Sequence, residues 1–73
     1  MDKVLEILQE LHPEVDFDKE VGLIDNAILD SLDIVTIITE LSDAFDIEIP
    51  PQEIVETNFN SAKALYEMVL RLQ

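Results

Sequence analysis

Apolar side chains recur at helical spacing in three stretches of the chain. The first stretch predicts a helix from Asp2 to about Leu11, with Asp2 available as the N-cap and Pro13 just beyond its end. Its apolar face is formed by Val4, Ile7, Leu8 and Leu11. The segment 13–29 keeps several apolar residues but no sustained period. We therefore expect a long loop that is pinned to the core, and loops of this length in compact domains tend to be functional.

The strongest period lies in the middle of the chain and predicts a second helix from about Ser31 to Ala44. Its apolar stripe is formed by Ile34, Ile37, Ile38, Leu41 and Phe45. Residues 51–56 are expected to form a short third helix, which begins at the second of two consecutive prolines. A fourth helix follows, with Asn60 or Ser61 as its cap. These elements predict an all-α fold: a small antiparallel four-helix bundle of three longer helices and one short helix, with a long loop between helices one and two.

Length and composition narrow the class of protein. A chain of 73 residues has room for one small domain, so residues 1–73 are predicted to form a single domain. It contains no cysteine, which excludes disulfides, thiolate metal sites and cysteine nucleophiles. No apolar run reaches the length of a membrane span, and the N-terminus lacks a signal-peptide pattern. We therefore expect a cytoplasmic monomer without membrane insertion.

Charge indicates the kind of partner. Seventeen acidic residues against four basic ones give a formal net charge of −13. A field of this sign repels nucleic acid and anionic membranes and attracts basic protein surfaces. The expected partner is therefore a protein with a positive patch.

Leu32 and Val35 lie outside the apolar stripe of the second helix, on a shoulder that begins beside Ser31. The polar positions that continue toward the solvent side are Asp33, Thr36, Glu40 and Asp43. An exposed apolar pair ringed by acids would form a contact surface. In the alternative interpretation the pair packs under the long loop, and the acids are only a solvated face.

Ser31 lies at the predicted start of the second helix. The free backbone N–H groups and the positive end of the helix dipole there favour a phosphate or a phosphodiester. A serine at a helix start is, however, most often a simple cap, and from the residues alone this alternative stays open. Asp30 weakens it, because Asp30 can cap the helix and leave the Ser31 hydroxyl free.

The segment from Leu23 to Pro50, "LIDNAILDSLDIVTIITELSDAFDIEIP", resembles the central region of acyl carrier proteins. The likeness rests on Asp25, on the Asp-Ser-Leu signature at residues 30–32, on "LSDAF" in the second helix and on "IEIP" after it. It extends more loosely over the whole chain in helix order, length and acidity. Two features depart from the family: Ala27 stands where many members have glycine, and "PPQEIVETNFN" is slightly longer than in fatty-acid-synthesis members, which leaves the limits of the third helix open.

The resemblance implies a carrier and not an enzyme. A phosphopantetheinyl transferase would attach 4′-phosphopantetheine from coenzyme A covalently to Ser31, and the terminal thiol of that group would hold an acyl group as a thioester. Acyl-loading and acyl-processing enzymes with basic docking patches would contact Asp30, Leu32, Asp33, Val35, Thr36 and Glu40. An acyl chain could enter between the helices, or the same side chains could simply fill the core: Ile34, Ile37, Ile38, Leu41, Ile49, Ile54, Val55, Leu65 and Val69.

The cargo stays open. A generic acyl carrier for fatty acid or polyketide synthesis is the first choice. The stretch "ILDSLDIVTIITEL" is also similar to stand-alone carriers that include the D-alanyl type, so an aminoacyl or D-alanyl carrier for teichoic acid or nonribosomal pathways is the alternative. An alternative of another class is a carrier-like interaction module that is never modified.

Two further hypotheses fail on residue types. A calcium loop starting at Asp16 would need glycine where Val21 stands and glutamate where Ala27 stands, so no metal site is predicted. A hydrolase built on Ser31 would need a base, and the single histidine, His12, follows the first helix without a nucleophile-elbow pattern around the serine. We expect His12 to be a helix C-terminal residue in favourable contact with the dipole.

Overall fold

Four α-helices and one 3₁₀ helix form the fold in this computed structural model, which describes residues 2–73. The α-helices are α1 (Asp2–Leu11), α2 (Ser31–Phe45), α3 (Glu56–Phe59) and α4 (Ala62–Leu72), and the 3₁₀ helix is Pro51–Glu53. Helix α1 packs against α2 and α4, and α3 packs against α4. The predicted all-α four-helix bundle with a long loop after its first helix is therefore confirmed. Within residues 2–73, no helix is long and apolar enough to cross a membrane.

A single hydrophobic core lies between the helices. In α2 the buried side chains are Ile37 and Leu41, and the rest of the predicted stripe packs against the core half-buried. The long loop contributes Phe17 and Leu23, which are fully buried. These two side chains anchor the loop, as the sequence predicted, because burying each removes a large apolar surface from water.

Polar groups define both ends of α2. Asp30 is the N-cap, and its carboxylate accepts a hydrogen bond from a backbone N–H in the first turn. At the other end Asp46 adopts the left-handed conformation with φ 52°, and its N–H donates to the Ser42 carbonyl. This is the usual way to satisfy carbonyl groups at a helix terminus. The helix ends at Phe45, one residue beyond the predicted limit.

The third helix lies later in the chain than predicted. Residues 51–56 were expected to be helical, but only Pro51–Glu53 forms a 3₁₀ turn, in which the Ile54 N–H donates to the Pro51 carbonyl. Val55 is then extended, with φ −129° and ψ 154°, and α3 begins at Glu56. Proline at the first position favours one tight turn, but a 3₁₀ helix rarely continues beyond three or four residues.

The fourth helix agrees with its prediction. It begins at Ala62 after Ser61, whose hydroxyl oxygen accepts the Ala64 N–H at 3.1 Å. Asn60, the other candidate cap, instead ties the long loop to the junction of α3 and α4. Its backbone carbonyl accepts the Leu23 N–H at 2.8 Å. The loop that leads to α2 is therefore hydrogen-bonded to the segment just before the C-terminal helix.

Candidate functional site

Ser31 is the first residue of α2, and its side chain is exposed. Asp30 and Asp33 form a reciprocal capping box around it. The Asp30 carboxylate accepts the Asp33 N–H at 2.9 Å, and the Asp33 carboxylate accepts the Asp30 N–H at 3.2 Å. Asp30 therefore caps α2, as predicted, and the Ser31 hydroxyl is not needed for that purpose.

Ser61 provides an internal comparison for Ser31. Both serines stand at the start of a long helix, but the Ser61 hydroxyl is half-buried and occupied in capping α4. Ser31 instead occupies the first helical position, one residue after the cap, where its side chain projects into solvent. The two sites show that the chain uses one serine as a structural cap and presents the other.

The backbone around Ser31 fits an attached phosphodiester. The Asp33 and Ile34 N–H groups are both taken by Asp30, through its carboxylate and its carbonyl. The N–H groups of Ser31 and Leu32 precede the first intrahelical bond and stand at the positive end of a 15-residue helix. The nearby carboxylates oppose a second negative charge, so a covalent bond and not ionic attraction would hold the group at this position.

Asp33 is less exposed than predicted. The helical pattern placed it toward solvent, but its side chain is only 19% exposed, because the imidazole of His12 covers it. His12 Nε2 lies 2.8 Å from Asp33 Oδ2, and His12 Nδ1 lies 3.2 Å from Glu14 Oε2. His12 itself directly follows α1, as predicted, and its N–H donates to the Leu8 carbonyl.

The contact between His12 and Asp33 changes the acidity of both groups. The hydrogen bond to Asp33 raises the pKa of His12; partial burial opposes this effect, and the Glu14 carboxylate adds to it. The same hydrogen bond lowers the pKa of Asp33, with a smaller contribution from the Asp30 N–H. Each group favours the charged form of the other, so the two form an ion pair between the end of α1 and the start of α2 whenever His12 is protonated.

The apolar shoulder of α2 is exposed. Leu32 is 76% and Val35 is 59% accessible, which excludes the alternative in which they pack under the loop. Asp30 and Glu40 are exposed near them, whereas the half-buried Thr36 donates its hydroxyl to the Leu32 carbonyl. The exposed surface of α2 thus carries the apolar pair and Glu40, with Asp30 and Ser31 at its N-terminal end.

An apolar pocket of ≈ 170 Å³ lies beside the first turns of α2. Its lining is formed by Ile24, Ile34, Ile54, Val55, Glu56 and Phe59. Three of the side chains proposed as an acyl lining therefore meet here, whereas Ile37, Leu41, Leu65 and Val69 are fully buried in the core. The pocket is smaller than the roughly 300–1,000 Å³ of sites that take drug-sized ligands.

Glu56, which lines this pocket, has its carboxyl group next to that of Asp25. A hydrogen bond from Glu56 lowers the pKa of Asp25, with help from the Asn60 amide, and the same contact raises the pKa of Glu56. The pairing joins residues that lie far apart in the chain, and no local pattern in the sequence signals it.

The family of the chain follows from a comparison with known proteins. The family described as "Phosphopantetheine attachment site" matches residues 2–69, nearly the whole chain. The chain therefore belongs to the phosphopantetheine-dependent carrier proteins. These carriers are not catalysts, so the prediction of a non-enzyme is confirmed. The predicted covalent 4′-phosphopantetheine is confirmed with it, as is interaction with a phosphopantetheinyl transferase and with acyl-processing enzymes.

Individual relatives resemble the chain over most of its length. The chain is 36% identical over 72 residues to the D-alanyl carrier proteins of Streptococcus sanguinis and Streptococcus gordonii, which covers 97% of this chain and 91% of each relative. The D-alanyl carrier protein of Lactococcus lactis subsp. cremoris is 30% identical over 66 residues, or 88% of this chain and 84% of the relative. No solved structure gives a significant match. These three relatives are D-alanyl carrier proteins.

Proposed function

We propose that this protein is a D-alanyl carrier protein in which Ser31 bears the 4′-phosphopantetheine. The observation that supports the attachment site most directly is the exposed Ser31 at the first position of α2, with Asp30 acting as cap in its place. The likeness to D-alanyl carrier proteins over nearly the full length supports the cargo.

The residues around Ser31 present the hydroxyl and do no chemistry themselves. Asp30 and Asp33 fix the first turn of α2, which holds the Ser31 side chain at one position on the surface. The N–H groups of Ser31 and Leu32, which have no acceptor within the helix, would help to hold the phosphodiester. When bound, the prosthetic group supplies a flexible arm that ends in a thiol, and the cargo is carried on this thiol as a thioester.

Partner enzymes dock, in this proposal, on the exposed side of α2. Leu32 and Val35 supply short-range apolar contact, and Asp30 and Glu40 attract a basic patch during encounter. Thr36, predicted to dock, lies between them with its hydroxyl turned to the backbone. Asp33 was also predicted to dock, but we assign it no direct contact, because His12 covers its carboxylate and pairs with it. We therefore assign direct contact to Asp30, Leu32, Val35, Thr36 and Glu40.

The packing of the bundle supports a small cargo. A long acyl chain would need space among the core side chains, but Ile37, Leu41 and Leu65 have no exposed surface. The pocket beside Ile34 provides only ≈ 170 Å³. Interiors packed at native density resist the insertion of additional groups, so an alanyl group that stays outside is compatible with this core as it stands.

A loading experiment tests the cargo. The protein is first treated with coenzyme A and a broad-specificity phosphopantetheinyl transferase, then incubated with ATP, an extract of Streptococcus gordonii and radiolabelled D-alanine. Parallel samples receive L-alanine or acetate. We expect label from D-alanine alone, released by hydroxylamine as a thioester would be, and absent from Ser31→Ala. Label from acetate and none from D-alanine would contradict the proposed cargo.

A further inference from the structure

The His12 ring is held between two carboxylates from different parts of the chain. Glu14 approaches Nδ1 from the long loop at 3.2 Å, and Asp33 approaches Nε2 from α2 at 2.8 Å. A neutral imidazole carries a single N–H and can donate to only one of them, whereas an imidazolium donates from both nitrogens. The geometry therefore fits the protonated ring.

The contact with Asp33 leads directly to the start of α2. The Asp33 oxygen that faces His12, Oδ2, also accepts the Asp30 N–H at 3.2 Å. The other half of the capping box joins the Asp33 N–H to the Asp30 carboxylate. The chain of hydrogen bonds thus runs from His12 through Asp33 to Asp30, the residue immediately before Ser31.

We propose that His12 is a pH-dependent positioning residue, whose imidazolium ties the end of α1 to the capping box that holds Ser31 in place. The coupling belongs to the unmodified chain and goes beyond the carrier function. It does not depend on the proposed role of Ser31.

Deprotonation of His12 weakens its contact with the capping box. The charged groups that face the ring are Glu14 from the loop and Asp33 from α2, with Asp30 one hydrogen bond further. A neutral ring that keeps its proton on Nε2 retains the shorter contact to Asp33 but turns a lone pair toward Glu14. The ion pair with Asp33 then becomes a neutral–ionic hydrogen bond, and the hold on the capping box loosens.

A titration of the isotopically labelled apo protein by NMR from pH 5 to pH 9 tests the coupling. We expect the His12 ring to titrate above its ordinary value of 6.5, and the amide resonances of Asp30 and Asp33 to shift with the same midpoint. In His12→Gln these amide shifts should disappear, whereas Glu14→Gln should lower the midpoint and keep the shifts.

Asp33→Asn gives an independent check, because the asparagine can still accept the Asp30 N–H. In this variant the His12 midpoint should fall toward 6.5. Amides of Asp30 and Asp33 that do not follow the His12 titration, or a midpoint that is the same in wild type and Asp33→Asn, would overturn the proposal. Because no step requires attachment to Ser31, its failure is distinct from a failure of the carrier function.

Discussion

Asn60 and Asp25 are joined by two hydrogen bonds across the molecule. Asn60 Oδ1 accepts the Asp25 backbone N–H at 3.2 Å, and Asn60 Nδ2 donates to Asp25 Oδ2 at 3.1 Å. The same Oδ1 accepts the Ile24 N–H at 2.9 Å. The Asn60 side chain, at the junction of α3 and α4, therefore holds the segment of the long loop at Ile24 and Asp25. This segment leads to α2 and Ser31.

Asn60→Ala should destabilise the fold by about 1–3 kcal/mol, because it leaves the loop N–H groups without their acceptor. Urea unfolding measures the change. Asn26→Ala is the matched control: its side chain makes a single, exposed hydrogen bond, to a Glu20 carboxylate oxygen, so the loss of stability should be much smaller. Equal losses in the two variants would show that the Asn60 contacts do not hold the loop.

Ala27→Gly should stabilise the protein by about 0.5–1 kcal/mol, because Ala27 adopts the left-handed conformation with φ 56°, which costs a residue with a Cβ atom more than glycine. The control is Ala44→Gly, within α2, which should destabilise the fold. Thermal unfolding of both variants gives the signs. A lower melting temperature for Ala27→Gly would contradict the strain inferred at this turn.

The stability due to His12 should depend on pH. Its raised pKa means that its contribution is fully present below the unfolded value of 6.5 and is lost as pH rises through the folded value. The lowered pKa of Asp33 adds stability above 3.8 that is lost as pH falls through its folded value. The pair is therefore most stabilising between about pH 4 and 6.5.

Urea unfolding of wild type and His12→Gln at pH 5.5 and 8.5 checks this expectation. The difference in unfolding free energy between the two proteins is compared at each pH, because the self-repulsion of the acidic chain also changes with pH and is common to both. The destabilisation caused by His12→Gln should be larger at pH 5.5 than at 8.5. The opposite order would mean that His12 is held in its neutral form.

The kcat/KM for modification by a phosphopantetheinyl transferase should depend on salt concentration, because the charge of Glu40 attracts the enzyme. Glu40→Lys should lower kcat/KM several-fold at low ionic strength, with a difference that shrinks as salt screens the charges. Leu32→Ala should lower it at every salt concentration, because apolar contact is not screened. Glu67→Lys changes the charge equally on the exposed face of α4 and serves as the control. An equal effect of Glu40→Lys and Glu67→Lys would remove α2 as the docking face.

The limits of α1 and α2 and the start of α4 were predictable to within about one residue because local signals mark them. The apolar stripes identify α1, α2 and α4, and the caps Asp30 and Ser61 stand where the patterns begin. The third helix was misplaced because its single turn is too short to show a period. Its position depends instead on Phe59, which is buried against the other helices.

Only part of the candidate site could be predicted from the sequence. Ser31 and the exposed Leu32 and Val35 follow from periodicity along one helix, together with the family signature. The orientation of Asp33 does not, because it is set by His12, 21 residues earlier in the chain. Contacts between distant segments leave no trace in a helical pattern, and the pairing of Asp25 with Glu56 was missed for the same reason.

Intact mass after incubation with coenzyme A, magnesium and a broad-specificity phosphopantetheinyl transferase tests the attachment site most directly. Wild type should gain a single phosphopantetheine, and Ser31→Ala should gain none. Ser61→Ala removes the other serine at a helix start and should be modified like wild type if it remains folded. A folded wild type that stays unmodified, also after co-expression in its own host, or a Ser31→Ala variant that still gains the group would contradict attachment at Ser31.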